Sequence, residues 1–286
     1  MQLDKARVLP IIKAALKEDI GNGDITTTAL VEKTAGSKAV IIAKEDCVVC
    51  GLKVAEWIMA QVDFSVRFKP NCDDGHLLGG GKELAYLEGH TASILRAERT
   101  MINFLSFLSA IATTTRTFVE KAGPYSVKIM DTRKTLPLLR YLEKYAVFTG
   151  GGTNHRMGLY DQVLIKDNHI APFKSQSGFS LKKMVETARK RSLKGAKIEI
   201  EVSSVEEFND ALAGKPDIIM LDNMAPQSVR SCVEIRRLSR IKPSIEVSGG
   251  INPDTIEEFV KMKPDAISIG ALTASVRSID MSLEII

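Results

Sequence analysis

The chain is poor in both cysteine and histidine, with four of each among 286 residues. Cys47 and Cys50 have the spacing of a metal or redox pair, but residues 38–50 read as a strand. Positions three apart on a strand face opposite ways, and neither Cys72 nor Cys232 supplies a second pair to complete a zinc site. The cysteines are therefore read as structural, as suits a reducing cytosol. His155 and His169 lack any i, i+4 partner, so no helical zinc motif exists. No apolar run approaches the roughly 20 residues needed to span a bilayer. The start, Met1-Gln2-Leu3-Asp4-Lys5, carries no signal-peptide pattern. The expectation is a soluble cytoplasmic protein with no membrane partner. Dense Lys/Arg tracts and interleaved aromatic stripes are also missing. A net charge of +4 and a pI near 8.8 therefore do not indicate nucleic acid. A mild positive bias suits a small anionic substrate instead.

What the chain does contain is a change of pattern. Residues 3–19 read as a helix closed by the turn Gly21-Asn22-Gly23-Asp24. A strand over 38–50, a helix over 53–62, glycine-rich turns near 71–81 and a long helix over 91–121 follow. This first part is α+β in character. From about 125, short β-branched runs alternate with helical stretches near 181–194, 205–213, 226–240 and 254–262. The runs are 127–130, 162–165, 198–200, 218–221, 245–247 and 266–269. Repeated βα units imply a parallel sheet covered by helices. A full eight-unit barrel needs about 250 residues, so the expected fold is α/β: an N-terminal α/β (α+β) sandwich domain, then an incomplete barrel of six or seven strands. The expected domains are 1–115 and 116–271, with 272–286 free to return and pack on the first.

Each run ends in a charged residue or a glycine. Asp131, Arg133 and Lys134 follow the first, then Lys166, Glu201, Asp222, Ser248-Gly249-Gly250 and Gly270 follow the others. Catalytic groups of α/β barrels sit at the carboxyl ends of the strands. The glycine turns after the last two strands, one leading through Pro253 into a helix, suggest a phosphate cradle. Arg133, Lys134, His155, Arg156 and Lys166, with Arg99 on the long preceding helix, form a cation set suited to carboxylates or phosphates. Arg140 and Lys144 read as solvated surface charges. Glu201 and Asp222 are candidates to hold ribose hydroxyls, Mg²⁺ or both.

These motifs, taken in order, resemble one family, quinolinate phosphoribosyltransferase. The matching stretches are Glu18-Asp19-Ile20-Gly21-Asn22-Gly23-Asp24-Ile25-Thr26, Ala97-Glu98-Arg99-Thr100-Met101-Ile102-Asn103 and Asp131-Thr132-Arg133-Lys134-Thr135. They continue with Gly150-Gly151-Gly152-Thr153-Asn154-His155-Arg156, Leu164-Ile165-Lys166-Asp167-Asn168-His169 and Val247-Ser248-Gly249-Gly250-Ile251. The resemblance implies transfer of phosphoribosyl from phosphoribosyl pyrophosphate to quinolinate with loss of CO₂, using Mg²⁺. It implies a homodimer, with higher assembly left open. By motif, Arg133, Lys134, His155 and Arg156, with Arg99 from the partner subunit, resemble the quinolinate binders. Lys134 and Lys166 resemble catalytic contacts between the substrates, and Glu201 and Asp222 the catalytic ribose and Mg²⁺ ligands. Ser248, Gly249, Gly250 and Gly270 resemble the 5′-phosphate site. Ala274, where many relatives carry a histidine, and Phe148-Thr149, where Arg-Cys is usual, depart from the pattern. Competing expectations are a homologous phosphoribosyltransferase of molybdenum-transport-associated type, acting on another substrate, and a non-catalytic phosphate-ligand sensor.

Overall fold

A computed structural model describes residues 1–286. In chain order its first elements are α1 (Lys5–Ile20), α2 (Ile25–Leu30), β1 (Gly36–Ala43), β2 (Cys47–Val48), α3 (Leu52–Val62), β3 (Arg67–Pro70), β4 (Leu77–Leu78), β5 (Lys82–His90) and α4 (Thr91–Ala122). Then come β6 (Lys128–Met130), α5 (Arg140–Thr149), β7 (Val163–Ile165), α6 (Asp167–Ile170), α7 (Leu181–Arg191), β8 (Ile198–Val202), α8 (Val205–Ala213) and β9 (Ile218–Asp222). The chain closes with α9 (Pro226–Leu238), β10 (Ser244–Ser248), α10 (Ile256–Val260), β11 (Ala266–Ser268), α11 (Ala271–Ala274) and β12 (Met281–Ile285). All six runs expected as barrel strands are strands. The chain forms two compact units: residues 1–116, 135–151 and 272–286, and residues 117–134 and 152–271.

In the first unit an antiparallel sheet runs β12-β1-β5-β3. The C-terminal strand pairs with β1, from Ala39 opposite Ile285 to Ala43 opposite Met281. Helix α1 buries Val8, Ile12 and Leu16, one stripe at a spacing of four. The turn after it behaves as its composition implies. Gly21 takes a φ of 55 at the helix end, and the Asp24 carboxylate caps α2 by accepting from Thr27 N at 2.9 Å.

Helix α5 also belongs to this unit, although the sequence placed residues 116–271 together in the barrel. Tyr145 donates to Asp74 at 2.7 Å, and Asp74 accepts from the backbone of Gly51 and Leu52 at the start of α3. Lys144 departs from expectation, because it is fully buried rather than solvated. The reason is that α5 buries Leu142, Glu143, Lys144, Ala146 and Val147, far more than one helical stripe.

The second unit holds six parallel strands in the order β6-β11-β10-β9-β8-β7. Thr153 adds a parallel bridge on the outer edge of β6, donating to Ile129 O at 2.8 Å. The sheet is strongly curled. Counting from the Thr153 edge, β8 lies five strand spacings away, about 24 Å in a flat sheet. Yet His155, two residues after Thr153, brings its Nε2 within 3.3 Å of Glu199 on β8 and 3.5 Å of Glu246 on β10. No pair of side chains spans the flat distance, so the strands must wrap around a shared interior. The result is an incomplete barrel of six strands, with Thr153 a fragment of a seventh.

Candidate functional site

Pleating sends alternate residues to opposite faces of a strand. On β8 to β11 the residues Ile198, Ile200, Val202, Ile219, Leu221, Ile245, Val247 and Ile267 face one way, and all are buried aliphatics. The parallel register places the other parity together: Glu199, Glu201, Asp222, Glu246, Ser248 and Ser268. These share the interior face, with Lys166 and Gly270 in the same phase just beyond β7 and β11. The polar side of the barrel is thus written into the alternation Ile-Glu-Ile-Glu-Val and Ile-Glu-Val-Ser.

The upper tier lies at the carboxyl ends of the strands. Lys166 Nζ sits 2.7 Å from Glu201 Oε2. Asp222 ends β9 directly opposite Ser248, which is itself opposite Ser268. The Lys134 side chain crosses to the last barrel turn, where a Cβ on Gly270 would stand 2.9 Å from Lys134 Cδ. Gly249 and Gly250 take φ values of 99 and 66, left-handed conformations that favour glycine. Pro253 does not open a helix. A turn capped by Asn252 intervenes, with Thr255 N donating to Asn252 Oδ1 at 3.1 Å, and α10 begins only at Ile256.

The remaining cations divide. Arg156 is held below its ordinary pKa first by burial and then by the Arg133 charge, against the opposing charges of Glu199 and Asp161. Arg156 is buried and donates to Gln162 O at 3.1 Å. The ring of His155 turns inward to Glu199 and Glu246, with its side chain only 6% exposed. Burial alone would push this imidazole down, but its hydrogen bonds to Glu199 and Glu246, aided by their charges, carry it up to about 10. Arg99 lies on α4 in the first unit and is exposed.

The sequence did not single out Glu199, Glu246, Gln162, Asn154 or Asn223, and it gave Asp131 no role beyond its place at a strand end. Asp131 is fully buried and accepts from Asn154 Nδ2 at 2.6 Å and from His155 N at 2.9 Å. Gln162 Nε2 donates to Glu199. The signal for Glu199 and Glu246 was present as period-two alternation within runs that look simply apolar.

Two groups of residues could be considered for a metal. His155, Glu199 and Glu246 place their ligand atoms within 4.8 Å of one another. However, His155 Nδ1 accepts from the backbone N–H of Arg156 at 2.7 Å and its Nε2 already faces both carboxylates, so the protein's own groups close this cluster. Glu201 and Asp222 are hard oxygen donors near the carboxyl ends of adjacent strands, the donor type that magnesium takes.

A parallel α/β barrel that gathers lysines, arginines, carboxylates and glycine turns at its strand ends defines an enzyme class built around anionic, phosphate-bearing substrates. Comparison makes this specific. The domain description "Quinolinate phosphoribosyl transferase, C-terminal domain" matches residues 111–284, and the corresponding N-terminal domain matches residues 24–109. A probable nicotinate-nucleotide pyrophosphorylase [carboxylating] of Methanocaldococcus jannaschii is 43% identical over 289 residues, covering 99% of this chain and 98% of the relative. A mitochondrial quinolinate phosphoribosyltransferase [decarboxylating] of Nicotiana tabacum is 36% identical, covering 96% of this chain and 81% of the relative. The solved nicotinate-nucleotide pyrophosphorylase of Francisella tularensis superposes with a TM-score of 0.92 at 36% identity, covering 100% of this chain and 98% of that one. The chain belongs to the quinolinate phosphoribosyltransferase family. Separately, no helix is long and apolar enough to cross a membrane.

Proposed function

We propose that the chain joins quinolinate to the phosphoribosyl group of phosphoribosyl pyrophosphate, giving nicotinate mononucleotide, pyrophosphate and CO₂ in de novo NAD biosynthesis. The observation that carries this reading is the tier at the strand ends: Lys166 2.7 Å from Glu201, Asp222 opposite Ser248, and Lys134 laid over Gly270. That tier belongs where an anion and a developing sugar cation meet. Arg133 and Arg156 bind the quinolinate carboxylates, and Arg99 of a second copy completes that pocket in a homodimer. Lys134 and Lys166 lie between the substrates. Glu201 and Asp222 hold the ribose and Mg²⁺, and Ser248, Gly249, Gly250 and Gly270 cradle the 5′-phosphate.

Alignment of two anions by fixed cations contributes a large entropic share of the rate. As pyrophosphate departs, positive charge builds on the ribose, and the carboxylates of Glu201 and Asp222 stabilise it. Glu201 and Asp222 would hold Mg²⁺, which would supply neutralising charge for pyrophosphate. The pyridine nitrogen bonds to the sugar carbon as the bond to pyrophosphate breaks and becomes cationic, an electron sink for the adjacent carboxylate; CO₂ leaves, and the ring carbon it vacates takes a proton from water. No covalent enzyme nucleophile is required.

The test is turnover. The protein is incubated with quinolinate, phosphoribosyl pyrophosphate and Mg²⁺, with nicotinate replacing quinolinate as the control. Nicotinate mononucleotide should form only with quinolinate, and chelation of magnesium should stop it. Equal turnover of nicotinate, or no turnover at all, would refute the reading.

A further inference from the structure

Asn223 follows Asp222 at the carboxyl end of β9 and holds a left-handed backbone with a φ of 52. Asparagine is among the few residues that tolerate this conformation. Its backbone N donates to Ser248 O at 2.8 Å, tying it to β10. Its side-chain Nδ2 donates to Asp222 Oδ2 at 2.8 Å. An ionised carboxylate only accepts, so the amide nitrogen must face Asp222. The same amide lies flat against the glycine turn. A Cβ on Gly249 would stand 2.2 Å from Asn223 Oδ1 and 2.5 Å from its Cγ. One planar amide is therefore wedged between the Asp222 carboxylate and the bare Cα of Gly249.

These two neighbours serve different parts of one ligand in the reading above, on which this inference rests. Asp222 faces the ribose and metal, while the Ser248-Gly249-Gly250 turn faces the 5′-phosphate. We propose that Asn223 is a positioning residue that fixes the Asp222 rotamer and sets the spacing between that carboxylate and the phosphate turn. It contributes through Asp222 and Gly249 rather than by touching the reacting atoms. Gly249 is glycine for two reasons: its φ of 99, and the space its neighbour's amide occupies.

Three variants separate backbone from amide. Asn223→Gly keeps the left-handed backbone and deletes the amide. Asn223→Asp keeps the shape but sets a second carboxylate against Asp222. Gly249→Ala drives a methyl group into the amide. Binding of phosphoribosyl pyrophosphate is measured by calorimetry with and without Mg²⁺, alongside both KM values and the Tm. Asn223→Gly is expected to weaken phosphoribosyl pyrophosphate binding about tenfold, the size of one hydrogen bond to a charged group. Its quinolinate KM and Tm should stay close to the parent's. Asn223→Asp should bind phosphoribosyl pyrophosphate more weakly still. The losses in Asn223→Gly and Gly249→Ala should be smaller together than their sum, because the first removes the group the second collides with. Unchanged phosphoribosyl pyrophosphate affinity in Asn223→Gly overturns the proposal, as does a parallel rise in both KM values. A parent that binds no phosphoribosyl pyrophosphate instead sinks the reading of the site, and this inference with it.

Discussion

Lys134 lies directly over Gly270, with its Cδ 2.9 Å from where a Cβ on that glycine would be. The φ of Gly270 is not in the left-handed region, so its backbone would accept alanine. The lysine's path is what excludes a side chain there. Gly270→Ala is therefore expected to displace a flexible side chain at little expense in stability, within about 1 kcal/mol. Under the proposed assignment turnover should nonetheless drop, because Lys134 is displaced from its course over Gly270. Lys134→Ala should cost several kcal/mol of transition-state stabilisation, as lost electrostatic groups do. Comparison of kcat/KM with melting temperature checks both variants. A Gly270→Ala protein with parental activity removes Lys134 from the chemistry.

His155 supplies a pH signature. Its folded-state pKa is raised to about 10, above the ordinary histidine value near 6.5. A raised pKa means that the stabilisation is fully present below about 6.5 and is lost as pH climbs through about 10. The difference in unfolding free energy between the parent and His155→Gln should therefore shrink from pH 7 to pH 10. At pH 7 the variant should be the less stable protein, because Glu199 and Glu246 keep their burial without the imidazole between them. The same pH dependence of unfolding free energy in the parent and His155→Gln would contradict this.

Arg99 tests the proposed assembly. Arg99→Ala and Lys134→Ala subunits are each expected to be nearly inactive. Mixed and allowed to exchange in equal amounts, half the dimers pair unlike subunits, and each such dimer has one intact site. Activity should return to roughly a quarter of the parent's. No recovery after verified exchange means that Arg99 serves its own subunit or none.

Much of the barrel was legible because parallel strands buried on both faces read as short β-branched runs between helices. The strand-end residues Lys166, Glu201, Asp222 and Ser248 were legible for the same reason: a run that stops at a polar residue marks its own end. Glu199 and Glu246 were harder to see, since a charge flanked by isoleucines looks like an interruption until the curl of the sheet gives it an interior to face. His155 was expected to face substrate, and only the three-dimensional meeting of β8, β10 and the Thr153 edge turns it toward two glutamates. Lys144 was misread because neither helical period nor composition reveals a helix enclosed on more than one side. Asn223 carries no sequence signal by itself. Its importance lies in a backbone angle and in the emptiness of Gly249.

In the proposed reaction Arg133 and Arg156 hold the two carboxylates of quinolinate. Quinolinate should therefore be titrated calorimetrically into the parent, Arg133→Ala and Arg156→Ala, with phosphoribosyl pyrophosphate titrated in parallel. The account predicts that each variant loses at least about tenfold in quinolinate affinity, the loss of a charge-assisted contact, while phosphoribosyl pyrophosphate binding is largely kept. Parental quinolinate affinity in both variants would contradict it.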